Sequence, residues 1–217
     1  VLLRPDRIAL YSLAVVPWLR PAQNRFQRME TKKGYDKRRL FEVARDVFLE
    51  AGYISLGIDH FALPTDAIAV SNKNESLHRN FMGYTEYATD VLLGLGMSAI
   101  SETPTSFHQN YKTMDDYYQS LEARCELPTS KGHILTDEDR EVKERILDLM
   151  TSHHTEFKEG LISKDNFVDM IEEDIVRFYK NNLIITNKGI PFTRHVCQRV
   201  DKYAEASAST PKFSSGV

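Results

Sequence analysis

The sequence predicts a mixed α/β protein: a partial parallel sheet with its covering helix over residues 1–104, then a mostly helical domain over 105–217. Two short apolar runs, Ile8 to Leu13 and Tyr53 to Ile58, flank a stretch of helical periodicity, which gives the order strand, helix, strand. The composition then shifts near Thr103-Pro104-Thr105, and apolar residues beyond it recur mainly at three- and four-residue spacing.

The first apolar run is short and has few polar positions, as in a strand covered on both faces, and Pro17 and Pro21 end it. The basic stretch from Arg25 to Arg39 can be an anionic-ligand patch or the solvated side of a helix, and the second reading is favoured. From Asp36, residues Leu40, Phe41, Val43, Ala44, Val47, Phe48 and Ala51 keep helical spacing, and Gly52 sits where a left-handed cap closes the helix. Parallel α/β sheets gather ligands at the carboxyl ends of their strands. Asp59-His60-Phe61-Ala62 follows Ile58 at such an end, which marks it as a candidate site. Thr65 is placed to cap a short helix to about Asn72, and Val91 to Ile100 reads as a strand interrupted by glycines.

In the second part, Thr113 caps a helix to about Glu126. Thr136 with Asp139 resembles a capping box, and Val142, Ile146, Leu147 and Met150 share one face of the helix it opens. Ser163 caps a further helix with Phe167, Met170, Ile171, Ile175 and Phe178 inward, and Leu183 to Thr186 reads as a short strand. Pro191 suits the first turn of a last helix reaching about Ala206. Helices around a small strand suggest a winged-helix-like unit, with a small polar tail from Ser207 to Val217.

Bulk properties narrow the function. With 41% hydrophobic and 27% charged residues among 217, the chain can bury a core. A net charge of −3 gives no basic footprint for nucleic acid. No apolar run approaches the ~18 residues of a membrane span. No signal-peptide pattern precedes Arg4-Pro5-Asp6-Arg7, so a cytoplasmic protein is expected. Cys125 and Cys197 are the only cysteines, too few for a cysteine-based metal site. The abrupt start on a strand suggests a cut from a longer protein, whose exposed edge would favour self-association.

Three constellations compete with simpler explanations. Gly94-x-Gly96-x-x-Ala99 formally fits a dinucleotide fingerprint, but Ile100 to Pro104 leaves no room for the required helix, so close backbone approach at the glycines is preferred. His153-His154-x-Glu156 could suggest a metal, yet adjacent histidines on a helix diverge by about 100°. They read instead as two exposed residues near a helix end. His60, beside Asp59, divides evenly between a site residue and a satisfied buried histidine, and Cys197 reads as core.

Several motifs together resemble one family. Arg4 to Arg7, Gly57 to Ala62, Leu77 to Thr85 and Leu93 to Ser101 look like segments found in this order in oxygen-independent coproporphyrinogen III oxidases. The similarity continues through Lys188-Gly189, Arg194, Cys197, Asp201 and Tyr203 into Lys212-Phe213-Ser214. That resemblance implies the C-terminal half of such an enzyme: the last βα units of a partial TIM-like radical S-adenosylmethionine (SAM) barrel followed by the winged-helix-like domain. It further implies a [4Fe–4S] cluster on an upstream CxxxCxxC motif and a 5′-deoxyadenosyl radical. Two propionates of coproporphyrinogen III would lose carbon dioxide to become vinyls, giving protoporphyrinogen IX in haem biosynthesis. By position, Ala14 resembles a residue at a second SAM and Ile100 one that packs on the adenine of the first. Phe81 and Met82 fall in the loop near the active centre, although the family often has Gln at Met82. The wing is short here, and the cluster cysteines are absent, so the chain alone is expected to be inactive. A related haem chaperone typically carries Ser-Asn-Phe-Ala where this chain has Ile58-Asp59-His60-Phe61-Ala62, and a His-Asn…Tyr-Trp loop where it has His78 to Tyr84. Both differences favour the oxidase.

Overall fold

The computed structural model describes residues 2–17, 21–28, 34–158 and 160–204. Lys32 and Lys33 of the basic stretch and the tail from Ser207 lie outside these residues, whereas the final helix, expected to reach about Ala206, already ends at Val200, where Asp201 turns extended.

The first sheet corrects the parallel expectation. Strands β1 (Arg7–Ala9), β2 (Ile54–Leu56) and β3 (His60–Ala62) form a sheet in the order β1-β3-β2, and both pairings are antiparallel. The cause is local. Gly57, at φ +55°, turns the chain straight after Leu56, so His60-Phe61-Ala62 returns as the central strand instead of forming a loop beyond a strand end. Phe61 and Ala62 are fully buried there. The helix α1 (Tyr35–Glu50) lays Phe41 and Phe48 on Phe61, with ring centroids 6.3 and 5.1 Å apart. Gly52 (φ +88°) closes α1 as expected: its N–H donates to the Leu49 carbonyl and the Tyr53 N–H to that of Phe48, a Schellman pair. Leu40, Val43 and Val47, on another stripe of α1, stay exposed.

The helix α2 (Ala67–Lys73) is capped by Asp66, whose carboxylate accepts the Ile68 N–H at 2.9 Å, and not by Thr65. Strands β4 (His78–Asn80) and β5 (Gly83–Thr85) form a hairpin with Phe81 and Met82 at its turn. The expected strand over Val91 to Ile100 is largely irregular, with one bridge from Leu92 to Glu102. The regular strand begins at Ile100: β6 (Ile100–Thr103) pairs with β7 (Ser106–Asn110), which pairs with β8 (Thr129–Ile134). Pro104 and Thr105, where the composition shifts, are the turn between β6 and β7. Every strand pairing among the described residues is antiparallel, and none of their sheets closes into a barrel.

The second half follows the sequence reading more closely. Thr113 caps α3 (Met114–Tyr118), which continues as a wider π-turn to Ala123. Thr136 and Asp139 form both hydrogen bonds of a capping box at the start of α4 (Asp137–Ser152). Ser163 starts a 3-10 turn leading into α5 (Val168–Glu172), but Asp174 (φ +53°) then ends the helix. Ile175 and Phe178 therefore lie beyond it, Phe178 in β10 (Val176–Tyr179). Ile171 stays exposed, while Phe167 and Met170 are buried. Strand β10 pairs with β11 (Asn182–Ile185), and β11 with β9 (His154–Glu156), so this sheet has three strands where one was expected. Helix α6 (Thr193–Val200) follows Pro191. Val196, Cys197 and Val200 join Leu149, Phe167, Val176 and Leu183 in the largest core, which places Cys197 where the sequence put it.

Gly57 supplies the sharpest test of this architecture. Its φ lies in the left-handed region, and an added Cβ would overlap the Tyr84 ring and hydroxyl. Gly57→Ala should therefore lower unfolding stability by more than about 2 kcal/mol in urea titration. A loss under about 0.5 kcal/mol, typical of a neutral surface change, would contradict the turn.

Candidate functional site

Two neighbouring constructions make up the site. The first is a small surface built on β4–β7. Asn80 Oδ1 accepts the Met82 N–H at 2.8 Å, which forms the tight turn that holds Phe81 and Met82 at the tip of the β4–β5 hairpin. Phe81 meets Phe107 edge to face, with centroids 5.3 Å apart. Phe107 lies opposite Glu102 in the β6–β7 ladder, and Ile100 sits two residues before Glu102, so Ile100, Glu102 and Phe107 share one face of that sheet. Ile100 is half-buried, Phe81 half-exposed and Met82 almost fully exposed.

The glycine-rich segment locks the entry to β6. Asn110 is buried, and its amide donates to the carbonyls of Gly94 at 3.0 Å and Gly96 at 2.9 Å. A Cβ on Gly94 would come within 2.6 Å of the Ile100 carbonyl oxygen, so this glycine permits the close backbone approach expected from the sequence. No helix follows Gly96. Ala14 lies apart from this surface, in the exposed segment after β1, where its carbonyl accepts from Gln23 Nε2 at 3.2 Å. The structure thus brings Phe81 and Ile100 onto one surface and leaves Ala14 on the other sheet's side.

The second construction surrounds Asp59, which is 6% exposed. Its Oδ1 lies 2.8 Å from His60 Nδ1, and its Oδ2 accepts from Arg194 Nη2 at 2.6 Å. Burial pushes the Asp59 carboxyl pKa up, but His60 and the Arg194 guanidinium together outweigh it, so the net shift is downward. Asp59 occupies the turn rather than a strand position, so the two neighbours meet instead of facing opposite ways. Tyr84 stacks edge-on to His60 at 4.9 Å, donates to the Met150 carbonyl at 2.9 Å and accepts the Ile58 N–H at 3.1 Å. Burial raises its hydroxyl pKa to about 12. Arg79 lies over the Tyr84 ring at 5.5 Å. Reasoning from the residues alone missed Tyr84, Arg79 and the Asp59–Arg194 pair, which joins positions 135 residues apart. The one available signal was an acidic residue inside the apolar run Gly57-Ile-Asp-His-Phe-Ala62, which requires a cation from elsewhere.

The histidine pair corrects one detail. His153 terminates α4 in the left-handed region at φ +60°, and His154 starts β9. His153 is not fully exposed: burial lowers its pKa and its Nδ1 has no hydrogen-bond partner.

An iron–sulfur cluster with one open iron needs three thiolates at short spacing. Cys125 is exposed, whereas Cys197 is buried, and burial raises the Cys197 thiol pKa to about 12. Among the described residues no group of three or more His, Cys, Asp or Glu could hold a metal ion. The residues of this chain do not fit such a cluster. None of the described helices is long and apolar enough to cross a membrane.

Comparison with known proteins gives a consistent picture. No protein-family model matches the chain. The oxygen-independent coproporphyrinogen III oxidase of Synechocystis is 31% identical over 99% of the chain, and that of Paracoccus denitrificans is 34% identical over 95%. The matched regions are 49% and 48% of those proteins, so the chain spans about half the length of the curated relatives it matches. Among solved structures, the coproporphyrinogen III oxidase of Escherichia coli, described as a radical SAM enzyme, superposes with a TM-score of 0.86 at 27% identity. That superposition covers 93% of this chain and 49% of the other. The fold is thus the mixed helix-and-sheet arrangement of a radical SAM enzyme. Over nearly its whole length the chain is thus similar to about half the length of the oxygen-independent coproporphyrinogen III oxidases.

The Asp59 cluster gives a pH signature. Because the folded pKa is lowered, the stability that Asp59 contributes is complete above its unfolded value, about 3.9, and is lost as pH falls from there through the folded value. Wild type should exceed Asp59→Asn by about 2 kcal/mol in urea unfolding at neutral pH, and the gap should shrink at about pH 3. A gap that does not change with pH would contradict the ion cluster.

Proposed function

We propose that this chain is the C-terminal half of an oxygen-independent coproporphyrinogen III oxidase. Such an enzyme oxidatively decarboxylates two propionates of coproporphyrinogen III to vinyls, giving protoporphyrinogen IX. The observation that carries this reading is the convergence of the matched motifs. The hairpin with Phe81 and Met82, the glycine segment and Ile100 build one continuous surface, and Asp59-His60 lies next to that hairpin through Tyr84. In this reading Ile100 and Phe81 form an apolar wall against SAM, Met82 edges it, and Ala14 belongs to a second SAM contact. When bound, SAM supplies the radical, and the cluster ligands come from the part of the longer protein outside this chain.

In this reading residues 1–104 are the C-terminal part of the radical SAM barrel of the longer protein, and α4 to α6 around β9–β11 are the winged-helix-like unit of the domain that begins at residue 105. A cytoplasmic location agrees with the composition. The exposed stripe of Leu40, Val43 and Val47 supports self-association of the isolated chain.

The test is anaerobic reconstitution with iron and sulfide. The full-length protein should convert coproporphyrinogen III to protoporphyrinogen IX, while the 217-residue chain should acquire no brown cluster absorbance. Stoichiometric haem binding by the full-length protein without conversion would contradict the oxidase reading and favour a haem chaperone. A cluster on the short chain would contradict the ligand assignment.

A further inference from the structure

Beside the Phe81–Phe107 contact lies a groove of about 510 Å³. Its floor is apolar, formed by Phe81, Phe107, Val142, Ile146, Leu147 and Met150. Its rim carries three cations, Arg79, Lys143 and Lys202. Two are already neutralised. Lys143 pairs with Glu102, and Lys202 pairs with Glu138 at 2.8 Å and Asp139 at 2.9 Å. Asp201, also on the rim, accepts the Tyr203 N–H at 2.9 Å.

Arg79 differs from the other two. No carboxylate lies within ion-pair distance of it among the described residues. Its Nη1 reaches only the Met150 sulfur at 3.5 Å, a weak acceptor, and its Nε is sealed from solvent without a hydrogen-bond partner. Holding a guanidinium partly buried with no counter-charge is costly unless an anion completes it. The Tyr84 ring offsets part of that cost and also fixes the group in place, so a carboxylate would meet a pre-positioned fork.

We infer that Arg79 receives a carboxylate of a ligand whose apolar body lies along the groove floor. Resting on the oxidase reading, we assign that carboxylate to a propionate of the tetrapyrrole rather than to the amino-acid end of SAM. The groove is lined largely by apolar side chains, as a macrocycle edge requires, and among the described residues its polar rim offers just one Arg or Lys without a carboxylate partner. Arg79 is thereby a binding and orienting residue that would set which carboxylates enter.

The test uses the full-length reconstituted protein, titrated with coproporphyrin III as a stable fluorescent probe and, separately, with its tetramethyl ester. Wild type should bind the free acid tighter than the ester. Arg79→Gln should weaken free-acid binding about tenfold or more, and Arg79→Lys by less. Both variants should bind the ester and SAM as wild type does. In turnover with coproporphyrinogen III, Arg79→Gln should raise KM about tenfold and change kcat by less than about threefold. Equal binding of acid and ester by wild type would overturn the assignment without any variant. Unchanged free-acid affinity in Arg79→Gln, or loss of SAM affinity in its place, would overturn it too. Failure of the oxidase reading would look different: wild type would show no turnover, while the probe titrations would still judge Arg79.

Discussion

The buried carboxylate of Asp59 is the constraint on which the rest of this molecule turns. A charge at 6% exposure cannot stay ionised without donors, and the two it has are the neighbouring His60 and Arg194, 135 positions further along the chain. His60 belongs to the central strand of the first sheet, and Arg194 to the last helix. Satisfying one carboxylate therefore fixes where α6 lies against β3. The Tyr84 hydroxyl makes a second tie of the same kind, from the Ile58 amide across to the Met150 carbonyl. Gly57 has no side chain because Tyr84 occupies the space it would need.

These ties connect packing to the candidate site. The hairpin that carries Tyr84 inward carries Phe81 and Met82 at its tip, so anchoring Tyr84 aims the tip. Arg79 shares a pleat face with Tyr84, its partner in the β4–β5 ladder, and is held between the tyrosine ring and Met150. The apolar surface beside Phe81 and a guanidinium without a carboxylate partner are thus positioned by one hairpin, itself clamped by α4. The chemistry that this surface serves in the oxidase reading is supplied elsewhere, which fits a chain matching about half of its relatives.

How much of this the sequence disclosed depended on range. Features set within a few residues were readable: the left-handed Gly52 cap, the Thr136–Asp139 capping box, the Thr113 and Ser163 caps, and Pro191 ahead of α6. Strand direction was not. Tyr53 to Ile58 reads as one buried strand with Asp59 to Ala62 beyond its end, and the left-handed Gly57 instead turns the chain into a hairpin. Likewise Val176 to Tyr179 keeps a helical spacing with α5, and the left-handed Asp174 breaks it. The sheet of β9, β10 and β11 was underread because β9 follows a helix directly, with no turn residue other than His153. Motif resemblance singled out Phe81, Met82 and Ile100 as candidates, but the contacts of Arg79 and Arg194 depend on three-dimensional proximity that no local pattern encodes.

The most direct measurement of the Asp59 constraint is a double-mutant cycle between Asp59→Asn and Arg194→Gln, read as unfolding free energy at neutral pH. Arg194 is half exposed, so solvent screens part of the attraction. A coupling energy of about 1–3 kcal/mol is the predicted result. Additive effects, with coupling near zero, would mean that α6 is placed by its apolar core alone and would contradict the account.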